Sequence, residues 1–426
     1  MCYTAGVSRL AWLIACAAWC VTATAAAERS PWADTRDEDL RVALVTFGPG
    51  DAIHQYFGHN ALLIGDTHGG LELLYNFGMF GFGPDMLPKY LSGQLLFWSA
   101  ATPVERTYEA YAADNRSIRV QELELAPARR RVLADALDLA VQPKTRYYLY
   151  HHYLNNCSTR VRDLIDKAVD GQFARRWRVP GEQTHRGDTL RYTEQDPIIH
   201  FLLMLWMNDS MERRITRYDE AFLPNELERL VDGMTYRDEQ GRPVKLAKLS
   251  YTVFEARRAP VPLSPSRTWP THLALGLLIG AFSVVLARWY EKTASRTARA
   301  VFGLEQVALG IALGVPGLVA TLFLLTGWDV TYHNENLFIA NALTFASLPL
   351  GLAAAFGSRW ALRSLGNVWI VLGASTLLLL LLKALPMFDQ DVSIPLSLYA
   401  PVNLGCALGH LRLRRAASST RPVAAG

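Results

Sequence analysis

Cysteine is scarce. The chain of 426 residues holds five, and Cys2, Cys16 and Cys20 all fall within residues 1–27, so no disulfide framework can be drawn from the spacing. Also missing are a zinc-spaced Cys/His cluster, a glycine loop able to cradle phosphate, and a basic surface interleaved with aromatics. These gaps argue against metal, nucleotide and nucleic-acid chemistry, and no cofactor is expected. Charged residues make up only 19%, and no repeat or low-complexity tract precedes the polar tail after Arg415.

What the chain does have is long apolar runs in its last third. They occupy roughly 271–287, 301–327, 337–356, 367–384 and 393–410, and most are long enough to span a bilayer. The expectation is an all-α polytopic membrane domain of five spans over 271–426. Ahead of it, the three prolines of Ala259–Pro265 make a stiff linker, with 261–270 as the boundary. Residues 1–27 carry Arg9, a short apolar core and an alanine-rich end, the outline of a secretory signal peptide. That leaves 28–260 as an exported domain large enough to bury a substantial core.

Loop charges give the same orientation. Arg288, Lys292, Arg296 and Arg299 follow the first span, Arg359 and Arg363 the third, and Arg412, Arg414 and Arg415 the fifth. Placing these basic loops in the cytoplasm puts 28–260 on the other side, as the leader requires. The net charge of +4 therefore reports topology rather than a nucleic-acid partner.

With the leader removed, Cys157 and Cys406 remain, and Cys406 lies in an apolar run. Cys157 opens a helical pattern in which Val161, Leu164, Ile165 and Ala168 share one face. A thiol on the first turn of a helix feels the positive end of the dipole, and its pKa falls. Upstream, Tyr56–Gly65 reads as a strand with His59 at its start, on the face of Ala61 and Leu63. A second strand, Leu71–Phe77, follows. A histidine on a strand facing a cysteine at a helix mouth is what a thiol-imidazole pair needs, so Cys157 is the expected nucleophile and His59 its base. His151 and His152 compete for the second role. Asn155 or Asn156 is placed to cap the helix, and the free N–H groups there, with that of Cys157, suit an oxyanion.

Taken in order, Phe57-Gly58-His59-Asn60-Ala61-Leu62, Tyr75-Asn76-Phe77-Gly78 and Asn156-Cys157-Ser158-Thr159-Arg160 resemble the periplasmic domain of Lnb-type lipoprotein N-acyltransferases. The likeness covers roughly 40–260. It implies an α+β domain of circularly permuted papain-like (NlpC-type) fold, similar to lecithin:retinol acyltransferase, with the histidine strand ahead of the cysteine helix. It also implies a third residue on the strand after the histidine. Asn76 and Glu72 both qualify, with Tyr75 on the opposite face.

The resemblance further names Asn60, Tyr75, Asn156 and Arg160 as substrate-contacting positions. His333 and Asn336, in the loop Trp328–Asn336 expected at the outer surface, are candidates to hold a lipid headgroup. The partners it implies are a phospholipid acyl donor, a lipoprotein acceptor and the membrane, with the chain multi-pass in the bacterial inner membrane and its catalytic domain in the periplasm. The competing readings are a membrane-tethered Cys-His amidase or peptidase acting on cell-wall peptide, and a non-enzymatic membrane scaffold.

Overall fold

The strand Leu40–Phe47 (β1) is buried along all but one of its eight residues, as a central strand covered on both faces must be. A computed structural model describes residues 29–81, 83–84, 88–89 and 92–419; the expected signal peptide lies outside them. The other strands of the sheet are His59–Asp66 (β2), Glu72–Met79 (β3), Leu96–Pro103 (β4), Ile118–Leu123 (β5), Tyr147–Leu149 (β6) and Ala247–Phe254 (β7). Their spatial order is β7-β5-β1-β2-β3-β4-β6, with antiparallel pairing throughout.

Alternation along the strands builds two cores. Val42, Leu44, Leu62, Ile64, Tyr75 and Phe77 pack beneath the helices Pro127–Ala140 and Cys157–Ala168, which bring Leu133, Leu137, Val161 and Ile165. On the opposite face Ala43, Val45, Phe47, Ala61, Leu63 and Leu74 lie beneath the helix Val104–Ala113, through Val104, Tyr108 and Tyr111. These three helices, in chain order, are α1 (Val104–Ala113), α2 (Pro127–Ala140) and α3 (Cys157–Ala168). The sequence reading located β2, β3 and the helix that opens at Cys157. It missed α1, whose inward face is built from tyrosines rather than an aliphatic stripe.

Residues 172–232 form further helices, of which Pro197–Trp206 joins the two halves of the molecule. Leu205 is buried among Trp369, Leu372 and Tyr399 of the C-terminal part, and Trp206 Nε1 donates to Pro316 O at 3.1 Å. Residues 261–268 contain no helix or strand.

Among the described residues three helices are long and apolar enough to cross a membrane: Trp269–Thr293, Arg296–Leu325 and Arg359–Leu382. Five such spans were expected. The stretch 337–356 is broken into a turn and the shorter apolar helix Ala342–Ala355, because Asn341 leaves the helical path to cap the Leu343 amide at 2.9 Å. The stretch 393–410 is one continuous helix, Ser393–Ser419, but Ser397, Asn403 and His410 dilute its apolar character. It packs along Trp269–Thr293 where Gly280 and Gly405 let the two backbones touch.

The outer loop is locked to the soluble part by buried polar groups. Asn208 Nδ2 donates to Asp329 O at 2.8 Å and Tyr332 O at 2.6 Å, and its backbone N–H donates to Val330 O at 2.9 Å. Lys383 Nζ reaches the buried Glu335 carboxylate at 2.9 Å. Asn208→Ala strands two carbonyls at this junction, at a cost of about 1–3 kcal/mol for each one left buried and unpaired. The purified variant in detergent is expected to unfold several degrees below the parent in a thermal melt.

Candidate active site

The capping of α3 fixes where its first residue points. Asn156 accepts the Thr159 backbone N–H at 2.9 Å, and Thr159 Oγ1 accepts the Asn156 N–H at 2.8 Å, closing a reciprocal cap. The Asn156 amide donates to His152 O at 2.7 Å and Phe222 O at 2.9 Å. Cys157 therefore starts the helix with little freedom, and its own N–H is among those a helix leaves unpaired.

Cys157 and His59 approach from opposite faces of the sheet. The imidazole stands on the α1 face beside the stacked pair Phe47 and Tyr111, its centroid 5.8 Å from the first ring and 6.2 Å from the second. α3 lies on the other face, and the two groups meet at the start of β2, where the ladder stops. There the imidazole and the backbone N–H of Asn60 come close enough to the thiol to favour its thiolate.

On its far side, His59 Nε2 lies 3.0 Å from Asn76 Oδ1. The Asn76 amide cannot be turned round, because its nitrogen donates to Leu74 O at 3.1 Å and Thr102 Oγ1 at 2.9 Å. Its oxygen thus accepts from Nε2–H and leaves Nδ1 as the unprotonated, basic nitrogen. Pairing of Ala61 with Asn76 across β2 and β3 puts Asn76 on the face of His59.

Burial would raise the thiol pKa, but the charge of His59 and hydrogen bonds from His59, Asn60 N–H and Ser158 outweigh it. The thiol is brought from an ordinary 9.0 to about 7. Cys157 is half-buried, open enough for a reactant to approach.

Several expected site residues serve as scaffold instead. Glu72 is salt-bridged to Arg41 at 2.6 Å and lies opposite Gly65, at the other end of β2 from His59, so of the two only Asn76 reaches the imidazole. Asn60 is fully buried; its side chain takes the Ser158 hydroxyl at 2.7 Å and donates to Thr46 at 2.9 Å, tying α3 to the sheet. Tyr75 is equally buried and bonded to Trp32 and Asp138. Asn156 is taken up by its cap.

Asn336 donates to Met204 O and Leu205 O, each at 3.1 Å, which holds the helix Pro197–Trp206. His333 is exposed on the outer loop, and no bond ties it to the site. Arg160 does border the site: its guanidinium lies 3.7 Å over the Tyr148 ring and its Nε donates to Asn155 at 3.0 Å.

The competing histidines point elsewhere. His151 pairs with Asp329 at 3.3 Å. His152 is enclosed by Phe57, Tyr153 and Phe222, and burial together with the neighbouring His151 and His185 pushes its imidazole down to about 3.

Sequence reasoning passed over Tyr148 and Gly78. Gly78 has φ +86°, and a Cβ there would lie 3.8 Å from Cys157 Cβ and 3.9 Å from the Tyr148 hydroxyl. The missing side chain leaves a space bounded by thiol and phenol. The Tyr148 hydroxyl is buried with no hydrogen-bond acceptor, and burial and the nearby thiol raise its pKa, so it stays protonated as a donor. Strand alternation through Tyr147–Tyr150 was the available signal, since it sets Tyr148 and Tyr150 on one face.

A thiol pKa lowered to about 7 means that thiolate is present above that pH and lost below it. The rate of Cys157 alkylation by iodoacetamide is expected to rise with pH around a midpoint near 7. In His59→Ala the midpoint moves upward toward that of an unassisted thiol.

No curated protein and no solved structure matches the chain. Residues 28–193 match a family model described as the Lnb N-terminal periplasmic domain, a range that holds His59, Asn76, Tyr148 and Cys157. The thiol-imidazole-amide site thus lies inside the range that is similar to the Lnb N-terminal periplasmic domain, and helices of membrane-spanning length follow it.

Proposed function

We propose that the protein is a membrane-bound thiol acyltransferase that moves an acyl chain from a phospholipid, through a Cys157 thioester, to the N-terminal amine of a lipoprotein. The observation that carries this reading is the Cys157–His59–Asn76 arrangement within a domain whose outer-loop contacts fix it to apolar helices. Both substrates of such a reaction live in a bilayer, which gives a physical reason for fusing a thiol site to a membrane part. We place the helical part in the bacterial inner membrane as a multi-pass unit, with Ala342–Ala355 and Ser393–Ser419 completing five passes and the thiol domain in the periplasm. The histidine-first order is read as a circular permutation of the papain-like plan.

In the first half-reaction His59 Nδ1 takes the thiol proton and the thiolate attacks the ester carbonyl. The negative oxygen of the tetrahedral intermediate falls between the Cys157 N–H and the Tyr148 hydroxyl, the two free donors beside the sulfur. Collapse breaks the ester C–O bond, the departing oxygen takes the proton from His59, and a lysophospholipid leaves. In the second half-reaction the lipoprotein amine attacks the thioester while His59 accepts its proton. The C–S bond breaks and sulfur leaves as thiolate, which His59 reprotonates. A thioester retains enough free energy to acylate an amine, and the product amide does not revert. Asn76 keeps the imidazole in the tautomer that both steps require.

The test is mass spectrometry of lipoprotein N-termini from cells that lack their own N-acylation. The parent chain is expected to add one amide-linked acyl chain and Cys157→Ala none. Tyr148→Phe is expected to slow transfer by roughly 10²–10³-fold, the loss typical of one oxyanion donor, without moving the pH midpoint of thiol alkylation. Unmodified N-termini with the parent chain, together with cleavage of cell-wall peptide, would replace this reading with the amidase.

A further inference from the structure

The sheet edge nearest Cys157 carries an apolar surface that the catalytic reading does not use. β6 is the outermost strand on that side, and its register pairs Leu96 with Leu149 and Trp98 with Tyr147 across β4. Directly paired residues share a face, so these four side chains form one row. Leu96 is 50% exposed, Leu149 55%, Tyr147 49%, and the neighbouring Leu154 64%. Phe97 and Tyr148 point the other way, where Phe97 stacks on Tyr150 at 4.1 Å and Tyr148 borders the thiol.

Single exposed leucines need no explanation, but a contiguous set rimmed by aromatics does. Arg146 lies 4.8 Å over the Tyr147 ring and donates to its hydroxyl at 2.7 Å, with no carboxylate partner among the described residues. Leucine inside, tyrosine and tryptophan at the margin and an unpaired arginine beyond them match the order of acyl chain, interface and phosphate in a bilayer.

The place of this edge in the fold identifies the occupant. Just before β4, Gly93 meets the backbone of Gly327: a Cβ on Gly93 would come within 3.2 Å of Gly327 O. Just after β6, His151 bonds Asp329. Gly327 lies two residues past the span Arg296–Leu325, whose last turns expose Leu322, Leu324 and Leu325, the last at 85%. The apolar edge therefore sits where an outward-facing apolar helix ends. We propose that the rim formed by Leu96, Tyr147, Leu149 and Leu154 is seated in the periplasmic leaflet of the bilayer, with Arg146 at the phosphates. There it holds the Cys157 thiol at the depth of phospholipid ester groups.

This surface rests on the membrane reading of the helices, and its use in catalysis rests on the acyl-transfer reading above. An ester bond buried below the headgroups does not have to leave the bilayer to reach the thiol. The seated edge instead brings the β6 side of the site to the ester, and the lysophospholipid departs into the same leaflet.

The test is photo-cross-linking of the full chain in vesicles of phosphatidylethanolamine and phosphatidylglycerol. Benzoylphenylalanine is placed at Leu149, at Leu154 or at Leu249, the last being 51% exposed on β7 at the opposite edge of the sheet. Intact mass spectrometry is expected to show phospholipid adducts at the first two positions and none at the third. Absence of lipid adducts at positions 149 and 154, or adducts there to a second copy of the chain, overturns the proposal. Leu149→Glu combined with Leu154→Glu is expected to cut transfer from bilayer phospholipid at least tenfold, while leaving iodoacetamide alkylation of Cys157 and transfer from a water-soluble short-chain thioester unchanged. Equal loss with both donors would mean a structural role only and would also overturn it. Lipid adducts in a chain that transfers no acyl group from any donor would keep the surface and remove the acyl-transfer reading instead.

Discussion

A sulfur at the mouth of one helix and an imidazole at the start of one strand must touch, and most of the soluble domain serves that contact. The two groups arrive from opposite faces of a sheet, so neither face alone can position them. Asn60 and Ser158 bind the helix to the strand at the crossing point, and the Asn156 cap sets the angle at which the helix begins. The stacked pair Phe47 and Tyr111 packs beside the ring, while Asn76 and Thr102 fix its tautomer. The lowered thiol pKa is the electrostatic outcome of that geometry: burial opposes the thiolate, and the imidazole with directed hydrogen bonds prevails.

The sheet and the cysteine at the helix mouth were legible because their signals are local. Strand alternation and a cysteine at the head of an amphipathic pattern need no knowledge of distant neighbours. The partner histidine was legible for the same reason, as a polar residue at the end of an apolar strand. Asn76 and Glu72 could not be separated, because both occupy one face of one strand. Only register decides, and it sets Asn76 opposite Ala61 and Glu72 opposite Gly65.

Motif residues raised a different difficulty. Asn60, Tyr75 and Asn156 look functional because they adjoin functional residues, yet each is consumed in holding the backbone that presents them. Tyr148 carried the opposite deception: it sat in an aromatic run with several rings alike, and only its hydroxyl's lack of an acceptor beside Gly78 singles it out. In the C-terminal part, apolar composition indicated the runs but not their continuity. Asparagine side chains that satisfy local backbone groups break one run, and polar residues inside another lower its apolarity without ending the helix.

The polar contacts between Asn208 and the outer loop, and the burial of Leu205 among membrane-part residues, mean that the soluble domain does not swing on its linker but is held in one orientation. Under the proposed acyl transfer, such rigidity lets the fold set the distance between thiol and bilayer. The central claim, that Cys157 becomes acylated by phospholipid with His59 as its base, is tested most directly by intact mass measurement of the purified full chain incubated with phospholipid and no acceptor. The account predicts a mass gain of one acyl chain on the peptide containing Cys157, released by neutral hydroxylamine and absent in His59→Ala. An unmodified cysteine under these conditions, or an acyl group that resists hydroxylamine and maps to another residue, would contradict it.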